Sequence, residues 1–235
     1  MGDLFLLIVG VQGSGKGTQA AHLTERYGIP HVSTGDLFRA MRTRSDPLAQ
    51  RIQAEMAAGK LIDDATTNEV LKDRLEQSDA AHGALLDGYP RNLVQAQFLT
   101  DYLASRGQKL NAVLQLELDL YTAFKRSFGR ATSKDGRAYN YYNKSEGVSW
   151  LVEQDPDKEF PPRLIGTLDT TGEVLNRRPD DANAFGVIER IEKFLSETQP
   201  VLPYYQALGL VRSVDASLSI DEVRDRLVEI VEDVR

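Results

Sequence analysis

The stretch from Leu4 to Thr18, LFLLIVGVQGSGKGT, constrains this chain more than any other. An apolar, partly β-branched run stops at Gly10, and glycines at 13, 15 and 17 then surround one lysine, Lys16. Glycine reaches backbone angles closed to other residues, so successive N–H groups can turn inward on an anion while the helix beyond presents its positive end. Lys16 adds a mobile charge suited to β and γ phosphate oxygens. The general pattern G-x-x-x-x-G-K-[ST] is met from Gly10 to Lys16; its last position holds Gly17, and the hydroxyl arrives one residue later at Thr18. A strand before the pattern and a helical repeat after it set it apart from a glycine-rich loop with a chance lysine.

With 235 residues the chain can bury a real core, and one domain with insertions is expected rather than two independent ones. A hydrophobic content of 41% and a charged content of 27% are ordinary for a soluble globular protein. No run approaches the roughly 18 apolar residues of a membrane span, and the short segment before Gly10 lacks a signal peptide's basic start and cleavage site. A cytoplasmic protein without membrane contact is expected. The absence of cysteine excludes disulfides and thiolate metal sites, and the net charge of −7 argues against nucleic-acid binding. Positive sites must be local.

Apolar spacing places a helix over 18–27, with Ala20, Leu23 and Tyr27 on one face, and a short strand over 31–33. Ser33, Thr34 and Asp36 follow, where hydroxyls either cap a helix or touch a ligand. Asp46-Pro47 opens a helix with a Leu48, Ile52, Met56 stripe that ends at Gly59. Val70, Leu71 and Leu75 mark another helix. A buried strand over 84–87 ends in a carboxylate, Asp87, the shape of a Walker B strand. Helical spacing returns at Ala96, Leu99 and Leu103; 112–118 is an apolar strand. Asp119 then caps a helix containing Leu120, Phe124 and Phe128, on which Arg126 and Arg130 share a face. The irregular stretch 129–181, with Tyr139, Tyr141, Tyr142 and Trp150, is too long for a structureless loop and is expected to be a β-rich subdomain or lid. Asp180 or Asp181 begins the next helix, whose Ile188, Ile191 and Leu195 face the core until Pro200. A last strand over 210–214 leads to a closing helix with a Ser219/Glu222 capping box and Val223, Leu227, Ile230 and Val234 along one side. Strands alternating with helices imply a parallel α/β sheet with right-handed crossovers.

Ligands of such sheets gather at the carboxyl ends of strands, where residues 10–18, 33–39 and 87–91 lie. The groups available are one lysine, one carboxylate and arginines 39, 91, 126, 130, 178 and 190. Arginine offers a planar, permanently charged fork for phosphate oxygens, and so many on one site are unfavourable without an anionic ligand. No general base stands at hydrogen-bonding positions, and His22, His31 and His82 read as surface or packing residues. Phosphoryl transfer to a monophosphate needs none, since its oxygens are already ionised at neutral pH.

GVQGSGKGTQ resembles the P-loop of adenylate kinases and related nucleoside monophosphate kinases, and STGDLFR, AGKLID, LLDGYPRNLVQA and RRPDD resemble further motifs of that family in the same order. The resemblance runs from residue 4 to about residue 205. It implies a P-loop NTPase-type five-stranded parallel sheet flanked by helices, with a core of 1–32, 63–128 and 182–235, a monophosphate-binding insertion at 33–62 and a lid at 129–181. Implied is transfer of a phosphoryl group from ATP with Mg²⁺ to AMP, giving two ADP, by a monomer. Gly13, Ser14, Gly15, Lys16, Gly17 and Thr18 would hold ATP phosphates. Arg126 and Arg130 would flank ATP, with Ala138, Tyr139 and the Leu218 backbone at its nucleoside. Thr34, Arg39, Lys60, Leu61, Ile62, Gly88, Tyr89, Pro90, Arg91 and Gln95 would hold AMP, with Gln95 reading adenine. Arg178 and Arg190 would close over the transferring group, and Asp87 would orient Mg²⁺ through water. Residues 33–62 and 129–181 would close on bound nucleotide to exclude water. Many relatives bind structural zinc in the lid with four cysteines; aligning Gly136 and Gly172 puts Thr132, Asp135, Leu168 and Thr171 there, so no structural zinc is expected. Two departures are a residue inserted between Asp181 and Arg190, and the stretch DASLS at 215–219, which lacks the family's glycine and lysine. A UMP/CMP kinase and a silent nucleotide-binding module are the competing readings.

Overall fold

The computed structural model describes residues 3–57, 62–143, 145–153, 163–178, 181 and 183–235. In chain order these form β1 (Leu4–Gly10), α1 (Lys16–Tyr27), β2 (His31–Ser33), α2 (Thr34–Met41), α3 (Pro47–Ala57), α4 (Asp64–Leu75), β3 (Gly83–Asp87), α5 (Leu93–Ser105), β4 (Leu110–Glu117) and α6 (Leu120–Phe128). Then come β5 (Arg130–Thr132), β6 (Ala138–Asn140), β7 (Val148–Glu153), β8 (Arg163–Leu168), α7 (Ala184–Lys193), α8 (Leu202–Ala207), β9 (Val211–Asp215) and α9 (Ile220–Val234). They fall into two compact units: Met1–Gly10, Gly15–Glu117 and Glu197–Arg235 in the first, Val11–Ser14 and Leu118–Ser196 in the second.

The first unit is built on a five-stranded sheet in the order β2-β3-β1-β4-β9, every pairing parallel, as the alternation of strands and helices requires. All seven residues of β1 are buried, the continuous apolar pattern of a strand covered on both faces. The register sets Asp87 beside Ile8 on one side and Ser33 on the other, and Gly10 beside Leu116. The ends of β1, β2 and β3 thus share one edge. On α1, Ala20 and Leu23 are buried and the half-buried Tyr27 reaches the Val228 carbonyl at 3.4 Å. Asp63, Asn92 and Ser219 cap α4, α5 and α9 with side-chain oxygens, the last in a full capping box. On α9 the buried positions are Val223, Leu227 and Val231; the sheet follows an i, i+4, i+8 row, and Ile230 and Val234 flank it half-buried. Met41, Ala49, Ile52 and Val70 close a smaller core beside α2, α3 and α4, with Leu48 and Ile62 packed against it. Gly59 and the side chain of Met56 lie outside what is described.

In the second unit, α6, α7 and the hairpins β5-β6 and β7-β8 surround a core of Val11, Ala123, Phe128, Ala131, Tyr141, Val148, Leu164, Leu175, Val187 and Ile191. Gly166 is glycine because a Cβ there would come within 2.3 Å of the Tyr141 ring, which lies on it and stacks on Trp150 at 6.4 Å between centroids. On α6, Ala123 and Phe128 are buried and Leu120 is exposed. The start of the next helix needs correction. The helix predicted from Asp180 or Asp181 begins instead at Ala184, because Asn183 supplies the cap, its Oδ1 accepting from the Gly186 N–H at 2.8 Å. That start turns Val187 and Ile191 inward and leaves Ile188 and Leu195 exposed. After Lys193 the chain widens into a π turn over Phe194–Thr198 ahead of Pro200.

Two tight turns of this unit, Ser133 to Gly136 and Leu168 to Gly172, are closed by backbone hydrogen bonds of 3.0 and 2.8 Å. They are tied together where the Lys134 N–H donates to Glu173 Oε1 at 2.7 Å, and the Thr132 N–H donates to the Asn176 carbonyl at 2.8 Å. These hydrogen bonds close the two turns and join them to each other. A chelator is expected to leave the thermal midpoint unchanged, whereas Glu173→Ala lowers stability by at most about 1 kcal/mol, the worth of one exposed charge-assisted hydrogen bond; differential scanning calorimetry with and without EDTA checks both.

Candidate active site

The loop between β1 and α1 is shaped by close backbone approach. Gly13 has φ of +86°, and a Cβ there would lie 2.5 Å from the Ala123 carbonyl and 2.8 Å from Ser127 Oγ, so α6 leaves no room for a side chain. Gly15, at φ of 92°, turns the chain into α1, whose first free N–H groups belong to residues 16–18. Lys16 folds back so that its ammonium donates to the Gly10 carbonyl at 2.7 Å. Ser14 is buried and Thr18 exposed. This is a strand, a glycine turn and a helix start arranged to hold an anion, as the sequence pattern required.

Along the same edge, β2 and β3 deliver a second polar cluster. Thr34 is buried and donates its hydroxyl proton to the Gly88 carbonyl at 2.9 Å, which also accepts from Arg91 Nε at 3.1 Å. Arg39 is exposed and pairs with Asp36, which holds that carboxyl below the ordinary aspartate range. Tyr89 is buried, its hydroxyl 2.6 Å from Asn68 Oδ1 and 3.0 Å from the Gln95 carbonyl, and burial pushes its phenol far up. With Pro90 buried as well, these two residues can offer a ligand little beyond backbone. Arg91 lies ahead of α5, which starts at Leu93, so it does not share a helical face with Gln95. A different contact joins them: Gln95 Oε1 accepts the Arg91 N–H at 2.8 Å. Ile62 is half-buried, and Lys60 and Leu61 fall outside the described residues. Asp87 Oδ2 lies 3.6 Å from His31 Nε2, giving that histidine a neighbour at the sheet edge that a packing role did not foresee. On the far side of the sheet Leu218 sits half-buried after β9, near the start of α9, where Gln19 Nε2 donates to the Ile220 carbonyl at 2.9 Å.

The second unit concentrates arginine. Arg126 and Arg130 were expected on one helical face, but α6 stops at Phe128 and Arg130 opens β5, because Gly129 lets the chain turn where Asn140 Oδ1 and the Tyr142 ring crowd it. Arg130 instead forks onto Asp181, Nε and Nη2 donating to Oδ2 at 2.9 and 2.8 Å, while Arg190 Nη1 donates to Oδ1 at 3.0 Å. Asp181 is completely buried and the two arginines are about a third exposed. One carboxylate thereby orients two guanidinium groups. Arg177, half-buried, lies between the rings of Phe128 and Tyr141 at 4.9 and 5.8 Å and donates to the Asp181 carbonyl at 2.6 Å; desolvation lowers its pKa. Arg178 is exposed, and its carbonyl accepts the Asp181 N–H. Ala138 and Tyr139 stand on β6 opposite Thr132 and Ala131. The sequence reading treated Asp181 as a helix start and passed over Arg177 and Asp64; the signal was a doubled aspartate beside a cap, at 63–64 and again at 180–181.

A parallel sheet carrying this loop on its central strand defines the P-loop nucleotide-binding class. The family model described as Adenylate kinase matches residues 8–210. Adenylate kinase from Streptomyces avermitilis is 39% identical over 224 residues, covering 95% of this chain and 95% of that protein, and those from Streptomyces coelicolor and Finegoldia magna are 39% and 37% identical over 95% of the chain. The chain belongs to the adenylate kinase family, whose members are nucleoside monophosphate kinases.

Asp181→Asn is expected to lower the unfolding free energy by about 2 kcal/mol, a buried ion-pair loss reduced by the arginines' exposure, and to lower turnover as both guanidinium groups lose their anchor. Urea denaturation together with steady-state kinetics measures the two effects.

Proposed function

We propose that this chain transfers the γ-phosphoryl group of MgATP to AMP, reversibly giving two ADP, as a monomer in the cytoplasm. The observation that carries the reading is the pairing, on one sheet edge of the first unit, of two anion-binding constellations: the glycine loop with Lys16 after β1, and Thr34, Gly88 and Arg91 after β2 and β3. One site suits a triphosphate and its neighbour a monophosphate. Admission of two nucleotides and exclusion of water both call for residues 33–62 and 129–181, the proposed insertions in a single kinase domain, to close on ligand.

In this reading the backbone of Gly13 to Thr18 cradles the donor phosphates and Lys16 moves from the Gly10 carbonyl to the transferring group. Arg126 and Arg130 flank ATP, whose nucleoside meets Ala138, Tyr139 and the Leu218 backbone. Arg39, Arg91, Thr34, Gly88 and the segment from Lys60 to Ile62 hold the acceptor phosphate and sugar, with Tyr89 and Pro90 giving backbone shape. Arg178 and Arg190 supply positive charge to the equatorial oxygens as the bond to the leaving phosphate lengthens. The acceptor oxygen attacks already ionised, so no side chain removes a proton.

Asp87 is a single carboxylate at the strand end, with no set of three acidic or histidine ligands among the described residues. That donor set fits magnesium, which keeps several waters and takes most other ligands from substrate phosphates. Asp87 would hold such a hydrated magnesium ion, which would supply positive charge to the donor phosphates.

The test is a coupled assay of diphosphate formation with AMP, CMP, UMP and GMP as acceptors. AMP is expected to be used far better than the rest, and equal turnover of CMP and AMP would overturn the adenine assignment. Lys16→Met is expected to keep the fold and lower kcat by a factor on the order of 10² or more, since it removes a donor to transition-state charge; near wild-type turnover would take Lys16 out of the mechanism. Gln95→Ala is expected to lower kcat/KM for AMP by about 1–3 kcal/mol, the worth of a two-point base contact, with KM for ATP little changed.

A further inference from the structure

Gln95 has a side chain that can be built two ways round, and the two orientations recognise different purines. With Nε2 and Oε1 in one order the amide donates to the ring nitrogen of adenine and accepts from its amino group. In the reverse order it donates to the carbonyl of guanine and accepts from guanine's ring N–H. Nothing in the glutamine itself selects one order. The selection comes from what lies behind it.

Behind it stands Asp64, the first residue of α4. Its Oδ1 accepts from Gln95 Nε2 at 2.7 Å, and its two oxygens accept from Asn92 Nδ2 at 2.9 and 3.0 Å. A carboxylate has acceptors only, so the amide edge facing it must be the NH₂ group. On the other edge the Arg91 N–H, a donor only, fixes Oε1 at 2.8 Å. Both anchors agree, and Gln95 is 4% exposed, so the amide cannot turn toward water instead. Each anchor uses one hydrogen-bonding position, leaving one Nε2 hydrogen and one Oε1 lone pair for a base. Asp63, not Asp64, caps α4 through the Thr66 N–H, so the cap leaves Asp64 free for this task. Asn68, one turn on, meets the hydroxyl of Tyr89 and holds the backbone on which Gln95 rests.

We infer that Asp64 is a specificity-determining positioning residue: its carboxylate holds the Gln95 amide in the orientation that accepts adenine and rejects guanine at the monophosphate site. The inference rests on the reading of Gln95 as the acceptor-base contact. Asp64 touches no substrate and acts through the glutamine alone.

The experiment measures kcat/KM for AMP and for GMP with ATP as donor, in the wild type, Asp64→Asn, Gln95→Ala and the double variant. Asparagine keeps the size of the side chain but can turn an N–H toward Oε1, which permits the reversed amide. The AMP:GMP ratio is expected to narrow about tenfold in Asp64→Asn, the loss of one charge-assisted hydrogen bond, with KM for ATP unchanged. Arg91 still opposes reversal, so the preference shrinks without inverting. In the Gln95→Ala background the Asp64 change is expected to add nothing further, the signature of two residues acting as one unit. A purely structural Asp64 would lower the thermal midpoint and leave the ratio unmoved, and that result overturns the inference. A ratio that collapses in Gln95→Ala but holds in Asp64→Asn overturns it while preserving the base contact; a ratio unmoved by Gln95→Ala removes both. Asp64→Ala, which deletes the acceptor without adding a donor, supplies the same comparison should the asparagine variant fold poorly.

Discussion

Everything at the nucleotide edge depends on a strand that has no polar residue with which to stop early. β1 is buried from Leu4 to Gly10 and pairs on both sides, so the chain cannot turn until it has crossed the sheet. The turn therefore falls at the carboxyl edge, between neighbours whose strands end in Asp87 and Glu117. Crossover connections on either side of β1 run in opposite directions from there, which opens the crevice that such sheets use for ligands. Burial of apolar residues thus decides where charge will be placed.

Charge is then aimed by a recurring device. In each unit a carboxylate holds donors by offering acceptors alone: Asp181 under Arg130 and Arg190, Asp64 behind Asn92 and Gln95. A guanidinium or amide left to itself samples many rotamers, and ordering it at the moment of binding costs free energy. Holding it beforehand moves that cost into folding. The two cases differ in electrostatics. Asp181 meets two positively charged partners, whereas Asp64 meets neutral amides and sets direction without altering their charge.

The sheet, the glycine loop and the capped helices were legible in the sequence because each follows from a local rule: continuous burial for β1, positive φ for the loop, Asp119 or Ser219 with Glu222 at a helix start. The misplacements arose where a tertiary contact outweighs local spacing. Four residues separate Arg126 from Arg130, which suggests one helical face, yet Gly129 ends α6 between them and Asp181 claims Arg130 from far along the chain. Asn183 rather than an aspartate starts α7, and that shift rotates the inward face from Ile188 to Val187. The clamps at Asp64 and Asp181 were invisible for the same reason, since side-chain partners 9 to 51 residues apart leave no periodic trace.

The bond from Lys16 to the Gly10 carbonyl also bears on how fast a nucleotide can be accepted. A free lysine carries about 2 kcal/mol of rotamer entropy, which an arriving phosphate would have to quench. Here the ammonium is already parked over its own loop, so capture becomes an exchange of one oxygen for another along a short swing of the side chain. In the proposed reaction the phosphate would take the place of that carbonyl. With its ammonium already held, Lys16 would have less conformational freedom left to lose in the proposed reaction.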